Sequence, residues 1–239
     1  MDTHLHHDQK PHHEEHLKSS AALRDIVIGM ADGLTVPFAL AAGLSAVPGA
    51  TTNIIVIAGV AEIAAGSIAM GLGGYLAGKT EQDHYKSEEK REYYEVENLR
   101  EREIEETKEF FANIGLSKEL QEKATEELAK DKKQWVNFMM KYELGLEKPD
   151  PRRATKSALN IGLSYIVGGL VPLSPYFFVD SPLEGLEISA IVTLICLFIF
   201  GFFKSKMTGI NVWSGALKVM LIGAVAAAAA FGVAKLFEG

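Results

Sequence analysis

Asp32 and Glu62 are carboxylates placed where charge is expensive. Asp32 lies in RDIVIGMADGLTVPFALAAGLSAV, residues 24–47, and Glu62 in NIIVIAGVAEIAAGSIAMGLGGYLAG, residues 53–78. Apolar runs of this length are membrane-spanning material. An ionised Asp at the centre of such a helix costs roughly 2.5–3.5 kcal/mol on insertion scales. At 1.5 Å per residue, Asp32 falls roughly 14 Å from the cytoplasmic edge of its helix and Glu62 roughly 12 Å from the outer edge of the next. In a hydrocarbon core of about 30 Å, two antiparallel helices therefore bring both acids near the midplane. Glu62, Gly66 and Met70 follow at i, i+4 and i+8 and share a face, which Gly66 leaves open. Two acids and a thioether beside a glycine-rich wall fit a path for a small cation. Oxygen ligands suit Fe²⁺ and Mn²⁺, a thioether suits softer ions, and carboxylates also carry protons. The plainer alternatives are protonated acids hydrogen-bonded between helices, and a Met70 that only packs. GLGGYLAG, residues 71–78, reads as a close-packing surface rather than a phosphate loop, because no strand precedes it.

These acids need helices to hold them, and the chain supplies five apolar segments. They run from about Ala22 to Val47, Ile54 to Gly78, Ala158 to Val179, Ile188 to Phe203 (extended at its start by Leu183 and Leu186) and Val212 to Leu236. Each is near the ~20 residues a spanning helix needs, the fourth being the shortest. The averages conceal this: 239 residues, 48% hydrophobic, net charge −7. Nearly all the charge sits in residues 1–24 and 79–156. The expected fold is all-α, a five-helix transmembrane bundle with a three-helix cytoplasmic insert between the second and third spans. The expected domains are a disordered His-rich tail over 1–20, spans one and two over 21–79, the insert over 80–153 and spans three to five over 154–239.

Lys and Arg set the orientation. The linkers at 48–53 and 180–187 have neither, whereas the tail, the insert and the KSKMTG turn carry Lys10, Lys18, Arg24, Lys148, Arg152, Arg153, Lys156, Lys204 and Lys206. The latter group therefore faces the cytoplasm. The first twenty residues have no apolar stretch of the signal-peptide kind, so the N-terminus is expected to stay cytoplasmic. Cys196 is the single cysteine, which excludes an intramolecular disulfide and a cysteine zinc site. An acidic chain disfavours nucleic acid and favours cations.

The insert carries a second set of candidates. Its helices are expected over 80–112, 118–130 and from about Asp131 to Gly145, with NIGLS (113–117) as a stop followed by a Ser N-cap. On an unbroken helix at 100° per residue, Glu92, Glu95, Glu103 and Glu106 fall within roughly 80° of one another. Val96, Leu99 and Phe110 lie on or beside that arc, while Arg91, Arg100, Arg102 and Lys108 fall outside it. Like charges on a packing stripe repel unless a counter-ion holds them. Met139 and Glu143, at i, i+4 on the third helix, could close a divalent metal site, with Met140 beside them. A glutamate-rich surface helix is the bland alternative. EQDH, residues 81–84, matches the Glu-x-x-His element of di-iron bundles, but a second copy is absent. His84 is thus a secondary metal candidate at most. The tail histidines, His4, His6, His7, His12, His13 and His16, either scavenge metal loosely or form no defined site.

DIVIGMADGLTVPFALAAGLS, AEIAAGSIAMGLGGYLAGKTEQDHY and FMMKYELGLEKPDPRRA resemble the vacuolar iron transporter family, over roughly residues 20–237. The resemblance implies a homodimer of five-span subunits that exports Fe²⁺, often Mn²⁺, from the cytoplasm in exchange for protons. It implies a pathway at the subunit interface with Asp32, Glu62 and Met70 at its pathway positions. It also implies a cytoplasmic metal-binding domain using Glu92, Glu95, Glu103, Glu106, Met139 and Glu143. The segment 93–116 matches by spacing more than by identity. The implied partners are lipid, a second copy and divalent ions (Fe²⁺, Mn²⁺, Zn²⁺ as a further candidate), with no prosthetic group and no enzyme activity. A membrane-anchored iron-binding or ferroxidase module without transport is the competing reading. Short loops and no targeting extension favour a prokaryotic plasma membrane over a vacuolar one.

Overall fold

The computed structural model describes residues 21–237; the His-rich tail lies outside them. Eight α-helices follow in order: α1 Ala21–Ser45, α2 Thr52–Asn98, α3 Arg100–Asn113, α4 Lys118–Leu128, α5 Lys132–Phe138, α6 Arg153–Leu173, α7 Pro182–Met207 and α8 Val212–Leu236. A π turn, Met139–Glu143, extends α5, and a 3₁₀ turn, Ser174–Phe177, extends α6. Five helices are long and apolar enough to cross a membrane: α1, α2, α6 with its 3₁₀ turn, α7 and α8. α7 is longer than its apolar core suggested. Pro182 starts it at a position that needs no N–H partner, and Lys204 and Lys206 end it with flexible stems that reach the interface. α2 has 47 residues, roughly 70 Å, twice the thickness of a bilayer core. It is therefore longer than a single crossing requires.

The chain divides into two compact units, 21–64 with 164–237, and 65–163. In the first, α1, α7 and α8 pack on one another. Phe38, Ala42 and Ala227 form one buried cluster, and Ala41, Ile55, Ile63, Leu173 and Tyr176 another. Polar groups in this apolar unit find partners. Ser45 and Tyr176 share a hydrogen bond of 2.9 Å, and Ser189 donates to the Pro172 carbonyl at 2.7 Å, satisfying an acceptor at the end of α6.

Small residues let α1 and α6 touch backbone to backbone. A Cβ on Gly33 would lie 2.4 Å from the Tyr165 carbonyl oxygen. Gly33→Ala is therefore expected to cost about 1–3 kcal/mol through overpacking. Gly73→Ala, where a Cβ meets open space, should cost nothing measurable. Thermal unfolding in detergent checks this: equal melting temperatures for the two variants would contradict the packing assignment.

In the second unit the glycine-rich stretch packs as its composition suggested. Gly71, Gly74 and Gly78 abut Ala158, Ile161 and Ala154 of α6. Beyond it, Tyr85, Val96, Trp135, Val136, Met139 and Met140 form the core. Three local features differ from the sequence expectation. The helix expected over 80–112 breaks at Leu99 (φ −121°, ψ 33°). There the Asn98 amide donates to the Tyr94 carbonyl at 2.9 Å and competes with the helix ladder. Ser117 starts α4 but makes no side-chain cap; the stop comes from Gly115 in the left-handed region (φ 92°). The third insert helix widens into a π turn, where the Leu144 N–H reaches the Met139 carbonyl at 3.1 Å. Its start is as expected: Asp131 accepts from the N–H groups of Lys133 and Gln134.

Candidate functional site

Asp32 and Glu62 both belong to the first unit and both are half-buried. The Tyr165 hydroxyl donates to Oε1 of Glu62, while Oε2 is buried without a hydrogen-bond partner. Tyr165 itself is 2% exposed. The glycines of α1 and α6 explain how it gets there. Gly33 admits the Tyr165 backbone, Gly168 admits Met30 and Leu34, and Gly169 admits Ile63 and Pro37. Tyr165 was missed in the sequence. A lone tyrosine in IGLSYIVGG looks like packing, and its one signal is a hydroxyl placed among small residues in an apolar helix. Met70 is half-buried and belongs to the second unit.

The second unit holds the insert candidates. One carboxylate oxygen each from Glu92, Glu103 and Glu143 come within 4.8 Å of one another. They arrive from α2, α3 and the π turn, so the break at Leu99 and the widened turn are what bring them together. Glu92 is 3% exposed and Glu103 1%. Oε2 of Glu92 and both oxygens of Glu103 are buried with no hydrogen-bond partner. Unpaired buried carboxylates are costly and call for a proton or a cation.

Their electrostatics follow. Burial pushes the Glu92 carboxyl up from 4.5 to about 7, helped by Glu143 and Glu95. Burial also pushes Glu103 up to about 7, with Glu106, Glu92 and Glu143 adding repulsion. Glu143 is raised as well, by burial first and then by Glu106 and Glu95.

Glu95 and Glu106 are placed differently from the expectation that all four glutamates converge. Each is engaged by an arginine of its own helix, Arg91 at 3.1 Å and Arg102 at 2.8 Å. These i, i+4 pairs draw the two acids to the edge of the cluster. Met139 is buried, and it lines an open cavity of about 370 Å³ together with Glu106, Glu109, Phe110, Asn113, Phe138 and Glu143. Met140 lies in the hydrophobic core. His84 is exposed, with Nδ1 3.9 Å from Glu88, and among the described residues it joins no acidic cluster that could hold a metal.

The arrangement offers three carboxylates, with the Met139 thioether lining a cavity that Glu143 also lines. That donor set fits a divalent cation of intermediate softness. The orphaned oxygens of Glu92 and Glu103 are the observation that carries the fit.

The VIT family model matches residues 23–235. "Vacuolar iron transporter" of Centaurea cyanus is 52% identical over 225 residues, 94% of this chain and 91% of the relative. "Vacuolar iron transporter 1" of Tulipa gesneriana is 49% identical, with 95% of this chain and 92% of the relative covered. "Protein CCC1" of Saccharomyces cerevisiae is 42% identical, with 90% and 68% covered. The two plant names are those of transporters rather than enzymes. Vacuolar names are carried by plant relatives and by a fungal one, "Vacuolar iron transporter cccA" of Arthroderma benhamiae, which does not favour the prokaryotic plasma membrane expected from the sequence. Matched over nearly its whole length and built on five helices fit to cross a bilayer, the chain belongs to the VIT family and is a multi-pass membrane protein.

Proposed function

We propose that the protein moves Fe²⁺, and Mn²⁺ with it, out of the cytoplasm in exchange for protons. The observation that carries this reading is the Glu62 carboxylate in the first unit. One oxygen is held by Tyr165, and the other is buried and unpaired in an apolar helix. A carboxylate presented this way can bind a proton, which cancels its charge, or share a divalent cation with a second carboxylate, so that two negative charges balance two positive ones. Asp32 provides the second acid and Met70 a softer contact at the cytoplasmic mouth. The insert, residues 80–153, faces the cytoplasm and collects the ion with Glu92, Glu103 and Glu143, with Glu95, Glu106 and Met139 around them. Two copies assemble with their pathways at the shared face. The names of the relatives support iron as cargo. The Lys/Arg distribution supports the orientation, and the same names make a vacuolar membrane the host to test first.

A membrane-anchored ferroxidase is the alternative from another class. In vesicles with a trapped metal-sensitive dye, transport predicts quenching on addition of Fe²⁺ without oxygen consumption. Oxygen uptake without quenching would establish the alternative. Tyr165→Phe keeps the ring and removes the donor to Glu62. It is expected to slow quenching about tenfold, the loss of one hydrogen bond to a charged group, in protein that still folds and shows a cooperative melting transition. Unaltered quenching would show that Glu62 works without that bond.

A further inference from the structure

Thr107 was assigned nothing above, yet it stands between two of the insert candidates. It lies on α3 one turn after Glu103 and is fully buried. Its hydroxyl oxygen is 2.7 Å from the Glu103 carbonyl oxygen and 3.5 Å from the Met139 sulfur. The indole Nε1–H of Trp135 donates to the same oxygen at 2.8 Å. Trp135 lies on α5 one turn before Met139 and is itself fully buried, with the Arg100 guanidinium 5.1 Å over its ring.

A hydroxyl has one proton to give. Here it has two acceptors, and the shorter contact is to the carbonyl. The Met139 sulfur therefore rests against the hydroxyl oxygen without being bound to its proton, so its lone pairs stay available to a cation. The Trp135 N–H fixes where that oxygen sits. α3 and α5 are thus pinned together one helical turn from Glu103 on one side and from Met139 on the other.

We propose that Thr107, held by Trp135, is the positioning residue that sets the Met139 thioether against the Glu92–Glu103–Glu143 carboxylates and so gives the insert its preference for softer divalent ions. The proposal rests on the reading of that cluster as a metal site. Thr107→Val preserves shape but removes the acceptor for Trp135, the donor to the Glu103 carbonyl and the oxygen against which the sulfur rests. Met139 then loses its fixed place, while the three carboxylates remain. Mn²⁺, which relies on oxygen, is affected little; Zn²⁺, which gains from the thioether, is affected more.

The test is equilibrium binding of Zn²⁺ and Mn²⁺ to the full-length protein in detergent, read by calorimetry. Thr107→Val is expected to lower the Zn²⁺/Mn²⁺ affinity ratio about fivefold, because Zn²⁺ draws on the positioned thioether and Mn²⁺ does not. Thr107→Ser keeps the hydroxyl and should restore the ratio. In a Met139→Leu background, Thr107→Val should leave the ratio unmoved, because the sulfur it positions is gone. A merely structural Thr107 would weaken both metals alike, or act equally in the Leu background, and either result overturns the proposal. If Thr107→Val does not fold, the proposal is decided by Trp135→Phe. This change should lower the same ratio only when Met139 is present; no change, or a change independent of Met139, rejects it. If the wild type binds neither metal, or Glu103→Gln leaves binding intact, the metal-site reading falls and the proposal with it. A wild type that binds through Glu103 while Thr107→Val keeps its ratio rejects the proposal alone.

Discussion

Asp32→Ala is expected to abolish metal uptake into proteoliposomes, with initial rates at least about a hundredfold below wild type. The reasoning is electrostatic. A cation halfway through an apolar layer needs a fixed negative partner, and leaving a buried charge unpaired costs about 3–5 kcal/mol. Each 1.36 kcal/mol added to a barrier is tenfold in rate, so even the lower figure exceeds a hundredfold. Asp32 is half-buried on α1, where the side chain has no need to be acidic for packing. Glu92→Ala and Glu95→Ala should instead lower uptake only a few-fold, and mainly at limiting metal, because the insert concentrates cargo rather than carrying it across. Wild-type rates from Asp32→Ala in correctly folded protein would remove Asp32 from the pathway.

The second large effect is on pH. Metal binding to the insert should weaken about 10- to 100-fold between pH 7 and pH 6. Glu92 and Glu103 both titrate near about 7 because burial and mutual repulsion disfavour their charged forms. A cation must displace the protons they hold below that pH, so each acid adds up to one decade per pH unit. Above about pH 7.5 the dependence should flatten. The stability of the metal-free insert runs the opposite way. An acid whose folded pKa is raised contributes fully below its unfolded value of 4.5, and that contribution is lost as pH rises through about 7. Metal-free protein should therefore melt higher at pH 5 than at pH 8, and added metal should narrow the gap. Calorimetry in buffers of different ionisation enthalpy counts the protons released on binding. One to two are expected near pH 6.5, and about one fewer in Glu103→Gln. A pH-independent affinity between 6 and 7.5 would mean that the cation does not bind these carboxylates.

The spans and the intramembrane acids were legible in the sequence for one reason. In an apolar run a single charge is an outlier that no surface argument explains away, and Asp32 and Glu62 are such outliers. Gly71, Gly74 and Gly78 were legible as packing for a related reason, since spacing at one face leaves few other uses for them. The insert was legible in outline only. Its helix starts and stops at Asp131 and Gly115 come from local chemistry that a short window contains. The break at Leu99 and the π turn at Met139 have no glycine or proline to announce them. They arise where Val96, Thr107 and Trp135 are buried together, which is a tertiary preference. The projection of four glutamates onto one unbroken helix differs from the arrangement in the structure, where the helix is interrupted. Glu92 and Glu103 meet because the helix breaks, and Glu95 and Glu106 are drawn off by Arg91 and Arg102. Tyr165 and Thr107 were illegible for the same cause: a hydroxyl's role depends on which atom it reaches across helices.

The most direct test of the account records two signals at once in proteoliposomes: metal entry by a trapped dye and luminal pH by a second dye. With an acidic lumen and external Fe²⁺ or Mn²⁺, metal should enter faster than without the gradient, and the lumen should turn alkaline as it does. Both signals should vanish in Asp32→Ala. Metal entry that ignores the gradient and leaves luminal pH unchanged would contradict a path in which ions and protons take turns on the same carboxylates.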